Sequence, residues 1–289
     1  MFSPDQALFI KKASEHLQQG KVIAFPTDTV YGLGVALNSQ NAELQIYTLK
    51  QRDAKKPLVV YVNTIEDIEK ISGCSLSENA SKLAQKFFPG PITILVDHKN
   101  PRFHQEKLGF RIISVPVIKQ LINISGPLFG TSANLSNFPP AVTSDDVLED
   151  FSTENIFVIP GQCDYGLEST VICSDPLTIY REGIISKKTI EEAIGKNIEM
   201  CEHGKHPFCR YVKIHTVGNE SHLKEFLKLH PNFQGIICEQ PQPRNFYPTL
   251  RKALKASEPT VIFIYDRLNS IYPELLPYLT PYTFTTNSK

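Results

Sequence analysis

Short apolar runs, too brief to be helices, recur between stretches of helical periodicity along most of this chain, and that alternation excludes most architectures at once. Strand-like runs fall at 21–25, 57–62 ("PLVVYV"), 92–96 ("ITILV"), 110–113 ("FRII"), 128–131 ("LFGT"), 156–159, 169–173 ("STVIC") and 177–181 ("LTIYR"). Helical spacing occupies 39–50, 65–71, 77–88, 116–124, 144–151 and 187–194. The N-terminal stretch is helical as well. Ser3 is its N-cap, Gln6 completes a capping box, Pro4 suits the first turn and Gly20 ends it. This order predicts an α/β fold. The connections are irregular and several suit hairpins, so a twisted mixed sheet is expected rather than a purely parallel one.

The pattern lapses between about 196 and 210, in "KNIEMCEHGKHPFCR", and then resumes as a second block. There "YVKIHTV", a helix at 221–230, "GIICEQ", a helix at 247–257, "TVIFIYD" and a helix at 270–279 follow in turn, as in a small doubly wound, Rossmann-like unit. The expected organisation is a catalytic domain at 1–197, a linker at 198–210 and an accessory α/β domain at 211–289. No G-x-G-x-x-G occurs in the second block, so dinucleotide binding has no support there.

Thirty basic and thirty acidic residues cancel, so no global field recruits nucleic acid or a membrane surface. The N-terminus lacks the apolar core of a signal peptide, and no apolar run reaches membrane-spanning length; a cytoplasmic protein is expected. Six cysteines are scattered without a C-x-x-C pair and read as reduced thiols. Cys201 and Cys209 with His203 and His206 come nearest to metal-ligand spacing but match no standard finger.

Four polar segments stand out against this background. "FPTDTVYGLG", Phe25 to Gly34, follows a strand and carries two threonines around Asp28, which doubles as an ordinary turn acceptor. "LKQRDAKKP" gathers Lys50, Arg52, Lys55 and Lys56 against Asp53 at a helix end, where cations also complement the dipole. "GTSANLSNFPP" ends a strand in hydroxyls, an amide and backbone donors, a turn suited to phosphates or carboxylates. "GLEST" sets Glu168, Ser169 and Thr170 at the head of a strand. Arg111 and Arg181 add guanidinium groups suited to bidentate anion contact. No Ser-His-Asp order, H-E-x-x-H or Walker A loop occurs. Such an inventory suits a site that positions an anionic nucleotide and a small polar metabolite.

"KVIAFPTDTVYGLG", "LKQRDAKKPLVVYV", "FFPGPITILV", "GFRIISVP", "GTSANLSNFPPAVT", "GLESTVI" and "YREGII" occur in this order, and together they resemble the YrdC-type threonylcarbamoyl-AMP synthase family over about residues 5–195. The resemblance implies a twisted sheet around a deep, positively charged cavity. It implies that L-threonine, bicarbonate and ATP give threonylcarbamoyl-AMP and pyrophosphate, with Mg2+ as cofactor. The product would pass to tRNA-modifying transferase proteins, and the chain itself would make at most a weak contact with tRNA. Carried over residue by residue, the resemblance assigns Lys50, Arg52, Ser132 and Asn134 to catalysis. Thr29, Tyr61, Arg111, Thr131 and Ser169 would bind threonine. Arg52, Lys56, Lys107, Ala133, Ala141 and Arg181 would lie along ATP, and Gly32 and Gly34 would let the backbone turn past the threonine pocket.

Three departures from the family pattern are visible. Gln51, Arg52 and Asp53 replace its usual Gly-Arg-Pro, Tyr61 stands where histidine is common, and "EHGKHPFCRY", which brings Arg210 and Tyr211, replaces the linker of longer members. A double-stranded-RNA-binding module of the same fold is the alternative, and neutral net charge argues against it. A carbamoyl transferase of the hydrogenase-maturation type would carry acylphosphatase and zinc-finger segments, and neither is seen.

Overall fold

The computed structural model describes residues 2–39, 42–53, 57–136, 138–201, 212–217, 220–229, 231, 234–238, 242–255 and 260–265. Lys55, Lys56, most of the expected linker with Arg210 and Tyr211, and the expected helix at 270–279 lie outside them. The chain divides into two compact units, Met1–Ser136 with Pro140–His203, and Asn137–Pro139 with Gly204–Lys289.

The first unit is built on helix α1 (Pro4–Gln18), whose Ser3 accepts from Gln6 N while the Gln6 side chain accepts from Ser3 N. Strands β1 (Ile23–Phe25) and β2 (Gly32–Ala36) flank the first polar loop, and α2 (Ala42–Lys50) follows. Then come β3 (Val59–Tyr61), α3 (Ile65–Ser72), α4 (Glu78–Phe87), β4 (Ile92–Asp97), β5 (Lys107–Arg111), α5 (Pro116–Ser125) and β6 (Leu128–Ser132). Helix α6 (Ser144–Asp150), β7 (Phe157–Val158), β8 (Thr170–Ser174), β9 (Leu177–Arg181), α7 (Lys187–Ile194) and β10 (Glu199–Met200) complete the unit.

All ten strands join one sheet in the order β10-β9-β8-β4-β5-β3-β6-β2-β1-β7. It is mixed, as expected: β3 pairs β5 and β4 pairs β8 in parallel, whereas β1–β2, β2–β6, β3–β6, β4–β5 and β8–β9 are antiparallel. One face buries Leu33, Val35, Val60, Phe110 and Phe129 in the larger core. The other buries Phe25, Tyr61 and Leu128 beneath α1 and α5 through Ile10, Leu17, Ile118 and Leu121.

The register explains the two glycines of "YGLG", which lie inside β2 rather than in the preceding loop. Phe25 pairs with Gly32, and Gly34 pairs with Gly130. A Cβ at Gly34 would sit 2.6 Å from Phe25 Cε1, and one at Gly130 would sit 2.7 Å from Tyr61 Cε2. The glycines therefore clear sheet surface on which two aromatic rings lie, edge to face with centroids 5.5 Å apart.

In the second unit β11 (Val212–Val217), β12 (Gln234–Cys238) and β13 (Thr260–Tyr265) form a parallel sheet in the order β11-β13-β12. Helices α8 (Glu220–Leu229) and α9 (Pro243–Leu254) lie between them in the chain. Among the described residues no helix is long and apolar enough to cross a membrane.

Candidate functional site

The loop between β1 and β2 is buried although it is polar: Thr27, Asp28 and Thr29 are each at most 1% exposed. Polar groups so placed must find partners inside the protein. Thr27 Oγ1 donates to Val30 O at 2.6 Å and accepts from Thr29 N at 3.1 Å. Tyr31 pins the end of the loop, with its ring buried and its hydroxyl shared between Ile159 O and Gly161 O at 2.9 Å each.

Arg111, the last residue of β5, reaches into this loop. Its Nη1 donates to Thr29 Oγ1 at 2.8 Å, its Nη2 to Asp28 Oδ1 at 2.5 Å and its Nε to Gly90 O at 3.4 Å. Tyr61, paired with Arg111 across β3 and β5, is buried beside them, and burial pushes its phenol up from the usual range. Its hydroxyl makes no hydrogen bond among the described residues. Thr29, Tyr61 and Arg111, distant in sequence, thus meet at one place.

A second cluster closes the far side of the loop. Lys50, the last residue of α2, is 1% exposed and turns its ammonium inward. Nζ donates to Ser132 O at 2.5 Å, Asn134 O at 2.6 Å and Asn134 Oδ1 at 2.8 Å. Asn134 Oδ1 also accepts from Ser132 Oγ at 2.7 Å, while Asn134 Nδ2 donates to Leu135 O. Lys50 therefore fastens the turn that carries Ser132 and Asn134 and places a positive charge directly behind it.

The backbone ties the two clusters together. Ala133 N donates to Tyr31 O at 2.7 Å, Tyr31 N to Ala141 O at 2.8 Å and Ala141 N to Ala133 O at 2.9 Å. The amides of Ala133 and Ala141 are consumed in this ring, so these residues contribute shape rather than open donors. Thr131, buried, precedes the turn directly, and its hydroxyl has no partner among the described residues.

Ser169 and Arg181 form a third group. Arg181 Nη2 and Nε donate to Ser169 O at 2.9 and 3.2 Å, and Nη1 lies 3.4 Å from Glu168 Oε1. Ser169 Oγ shares a hydrogen bond of 2.9 Å with Thr93 Oγ1, a buried partner no motif singles out. Burial pulls the Arg52 guanidinium below its usual range, and the like charge of Arg181 adds to that effect. Arg52 Nε is buried without a partner among the described residues, and Nη2 donates to Pro57 O at 3.3 Å. The two guanidinium groups thus feel each other, and Arg52 is under-bonded among the described residues.

Lys107 is not brought to these groups. It opens β5 at the end opposite Arg111 and pairs with Asp97 at 2.5 Å. Lys56 lies outside the described residues. Among the described residues no group of three His, Cys, Asp or Glu side chains is placed to hold a metal ion.

The family model for Sua5, YciO and YrdC proteins, described as telomere recombination, matches residues 15–183, more than half of the chain. The chain belongs to the Sua5/YciO/YrdC family. Among curated members, the threonylcarbamoyl-AMP synthase of Pyrococcus abyssi is 33% identical over 206 residues, covering 68% of this chain and 60% of that protein. The Bacillus subtilis threonylcarbamoyl-AMP synthase is 34% identical over 196 residues, covering 64% and 56%. The matches thus span less than two thirds of these relatives' length. Among solved structures, P. abyssi Sua5 complexed with L-threonine is similar in fold, with a TM-score of 0.75, 24% identity and 88% of each chain covered.

Proposed function

We propose that this member of the Sua5/YciO/YrdC family is an L-threonylcarbamoyladenylate synthase, a nucleotidyltransferase that makes threonylcarbamoyl-AMP for tRNA modification. The observation that carries the proposal is the joining of a buried arginine fork, Arg111 with Thr29, to the lysine-backed turn of Ser132 and Asn134 through one ring of backbone hydrogen bonds. An amino-acid carboxylate and an anionic reacting centre are the two things such halves would hold at fixed separation. The curated relatives carry this activity in their names, and the P. abyssi relative is complexed with L-threonine.

In this reading the threonine amine captures carbon dioxide, releasing a proton and forming a carbamate. A carbamate oxygen then attacks the α-phosphorus of ATP, and the bond to the β-phosphate oxygen breaks to release pyrophosphate. Arg111 takes the threonine carboxylate, with Tyr61, Thr29, Thr131 and Ser169 around the amino acid. Ser132 and Asn134 face the carbamate and phosphates, with the Lys50 charge behind them. Arg52 and Arg181, with Lys56, lie along the nucleotide and offset the repulsion between two anionic reactants. Ala133 and Ala141 shape the nucleotide wall of a deep, positively charged cavity. Magnesium would arrive on the ATP phosphates, which together with waters usually supply most of its oxygen ligands. Lys107, bound to Asp97, is left out. Residues 1–197 would be the catalytic domain and 211–289 a small Rossmann-like accessory domain.

The test is pyrophosphate release from ATP and magnesium, with threonine and bicarbonate omitted in turn. Release that requires both is expected. Release indifferent to threonine, or none from folded protein, refutes the proposal.

A further inference from the structure

The two carboxylate oxygens of Asp28 have different surroundings. Oδ1 accepts from Arg111 Nη2 at 2.5 Å, whereas Oδ2 is buried with no hydrogen-bond partner among the described residues. A loop aspartate ordinarily accepts from neighbouring backbone amides. Here no neighbouring amide donates to it among the described residues, and two of them are engaged elsewhere: Thr29 N donates to Thr27 Oγ1 and Tyr31 N to Ala141 O. Asp28 is therefore not a turn acceptor. Its side chain, 1% exposed, has Arg111 as its sole hydrogen-bond partner among the described residues. Burying an ion pair adds little stability by itself, and a buried polar atom left unsatisfied calls for an explanation.

Following the protons supplies one. Thr27 has a single hydroxyl proton, and it goes to Val30 O at 2.6 Å. In the 3.0 Å contact between Thr27 and Thr29, the proton must then come from Thr29. Thr29 Oγ1 consequently meets Arg111 Nη1 as an acceptor, which is the only role it has left toward that group. The guanidinium is gripped at all three nitrogens, by Gly90 O, Thr29 and Asp28. Of the five N–H groups of an arginine, two remain, one on each terminal nitrogen. That is the number a bidentate carboxylate takes.

We propose that Asp28 is a positioning residue: it locks the rotation of the Arg111 fork so that the two remaining N–H groups meet the carboxylate of the bound amino acid already aligned. This rests on the threonine reading above, and it adds the residue that prepares the site before threonine arrives. Preparing a binding group in advance lowers the ordering cost of binding. The effect therefore belongs to threonine affinity rather than to the chemical step.

The experiment compares the full chain with Asp28→Asn, which keeps an acceptor for Nη2 without the charge, and with Asp28→Ala. Threonine binding is followed by calorimetry, threonine-dependent pyrophosphate release gives KM and kcat, and thermal unfolding reports the fold. The threonine KM is expected to rise on the order of tenfold in Asp28→Asn and on the order of a hundredfold in Asp28→Ala, since charge-assisted bonds are about twice as strong as neutral ones. Saturating kcat should stay within about threefold in the Asn variant, the signature of lost binding rather than lost chemistry. A merely structural Asp28 would lower the folded fraction and hence kcat at an unchanged KM. That result, or an unchanged KM in folded Asp28→Asn, overturns the proposal. Should neither variant fold, the Arg111 side-chain resonances of the unsubstituted, 15N-arginine-labelled chain decide. Resolved Nη–H signals support a locked fork, and signals averaged by rotation overturn it. Resolved signals in a chain that neither binds threonine nor needs it for pyrophosphate release would refute the function proposed above while keeping Asp28 as the group that holds Arg111.

Discussion

Replacing Lys50 by methionine tests whether this lysine organises the site or only adds charge to it. Methionine has the length and flexibility to fill the same channel but no donors. It would strip the ammonium from three acceptors, Ser132 O, Asn134 O and Asn134 Oδ1, in a place only 1% exposed. A hydrogen bond from a charged group contributes about 1.5–3 kcal/mol. Asn134 Oδ1 keeps its bond from Ser132 Oγ, so the two bonds to Ser132 O and Asn134 O, at the low end, amount to about 3 kcal/mol. For a unit of this size each 1 kcal/mol lowers Tm by about 2–4 °C, which predicts a fall of about 6–12 °C by calorimetry. The loss should also be local. Ala133 N is bonded to Tyr31 O and Ser136 N to Lys50 O, so deuterium uptake in a peptide covering 131–136 should rise well before that of the β4–β5 ladder. Pyrophosphate release should collapse, because the Ser132 and Asn134 side chains lose their common anchor. A Tm within about 2 °C of the unsubstituted protein, with unchanged exchange in that peptide, would refute the organising role.

Two further outcomes follow from the geometry. In Gly130→Ala the new methyl would sit 2.6 Å from Leu33 O and 2.7 Å from Tyr61 Cε2, an overpacking that costs about 1–3 kcal/mol and displaces the ring. The threonine KM should rise along with the fall in Tm, and an unchanged KM would separate Tyr61 from threonine binding. Burial pushes the Cys163 thiol up to about 12, so it should resist alkylation at pH 8 while the half-buried Cys74 and Cys201 react. Because the folded state holds that proton more tightly, the contribution is complete below the ordinary thiol range and is lost as pH rises toward 12. The urea midpoint should fall across that window, and less steeply in Cys163→Ala.

Much of this was legible in the sequence where local chemistry decides the outcome. The capping box at Ser3 and Gln6 needs only four adjacent residues, and the helices at 65–72 and 187–194 follow their periodicity almost to the residue. Strand β2 was not legible. "GLGVA" lacks the run of branched or aromatic residues that marks a strand, and its glycines read as turn formers. Their real function is to clear space for Phe25, which depends on a cross-strand register no single segment encodes. The site shows the same division. Its hydroxyl- and cation-rich segments were conspicuous, but the direction of each side chain was not. Lys50 reads as a cation facing a ligand, yet it points inward at carbonyl oxygens. Asp28 reads as a turn residue because its partner, Arg111, is 83 positions away. Thr93 gives no signal at all: a lone threonine in an apolar strand becomes meaningful only once β4 lies beside β8 and its hydroxyl meets Ser169.

The three backbone hydrogen bonds that close a ring among Tyr31, Ala133 and Ala141 also set a distance. Tyr31 stands two residues from Thr29, and Ala133 lies between Ser132 and Asn134. The span from the arginine fork to the lysine-backed turn is therefore fixed by main-chain geometry, as the jaws of a locked calliper are fixed by its frame. On the function proposed above, admitting an amino acid one methylene longer would mean parting β2 from β6, the pair beyond which β1 and β7 complete the ten-stranded sheet. In that reading the backbone would measure length before any side chain discriminates.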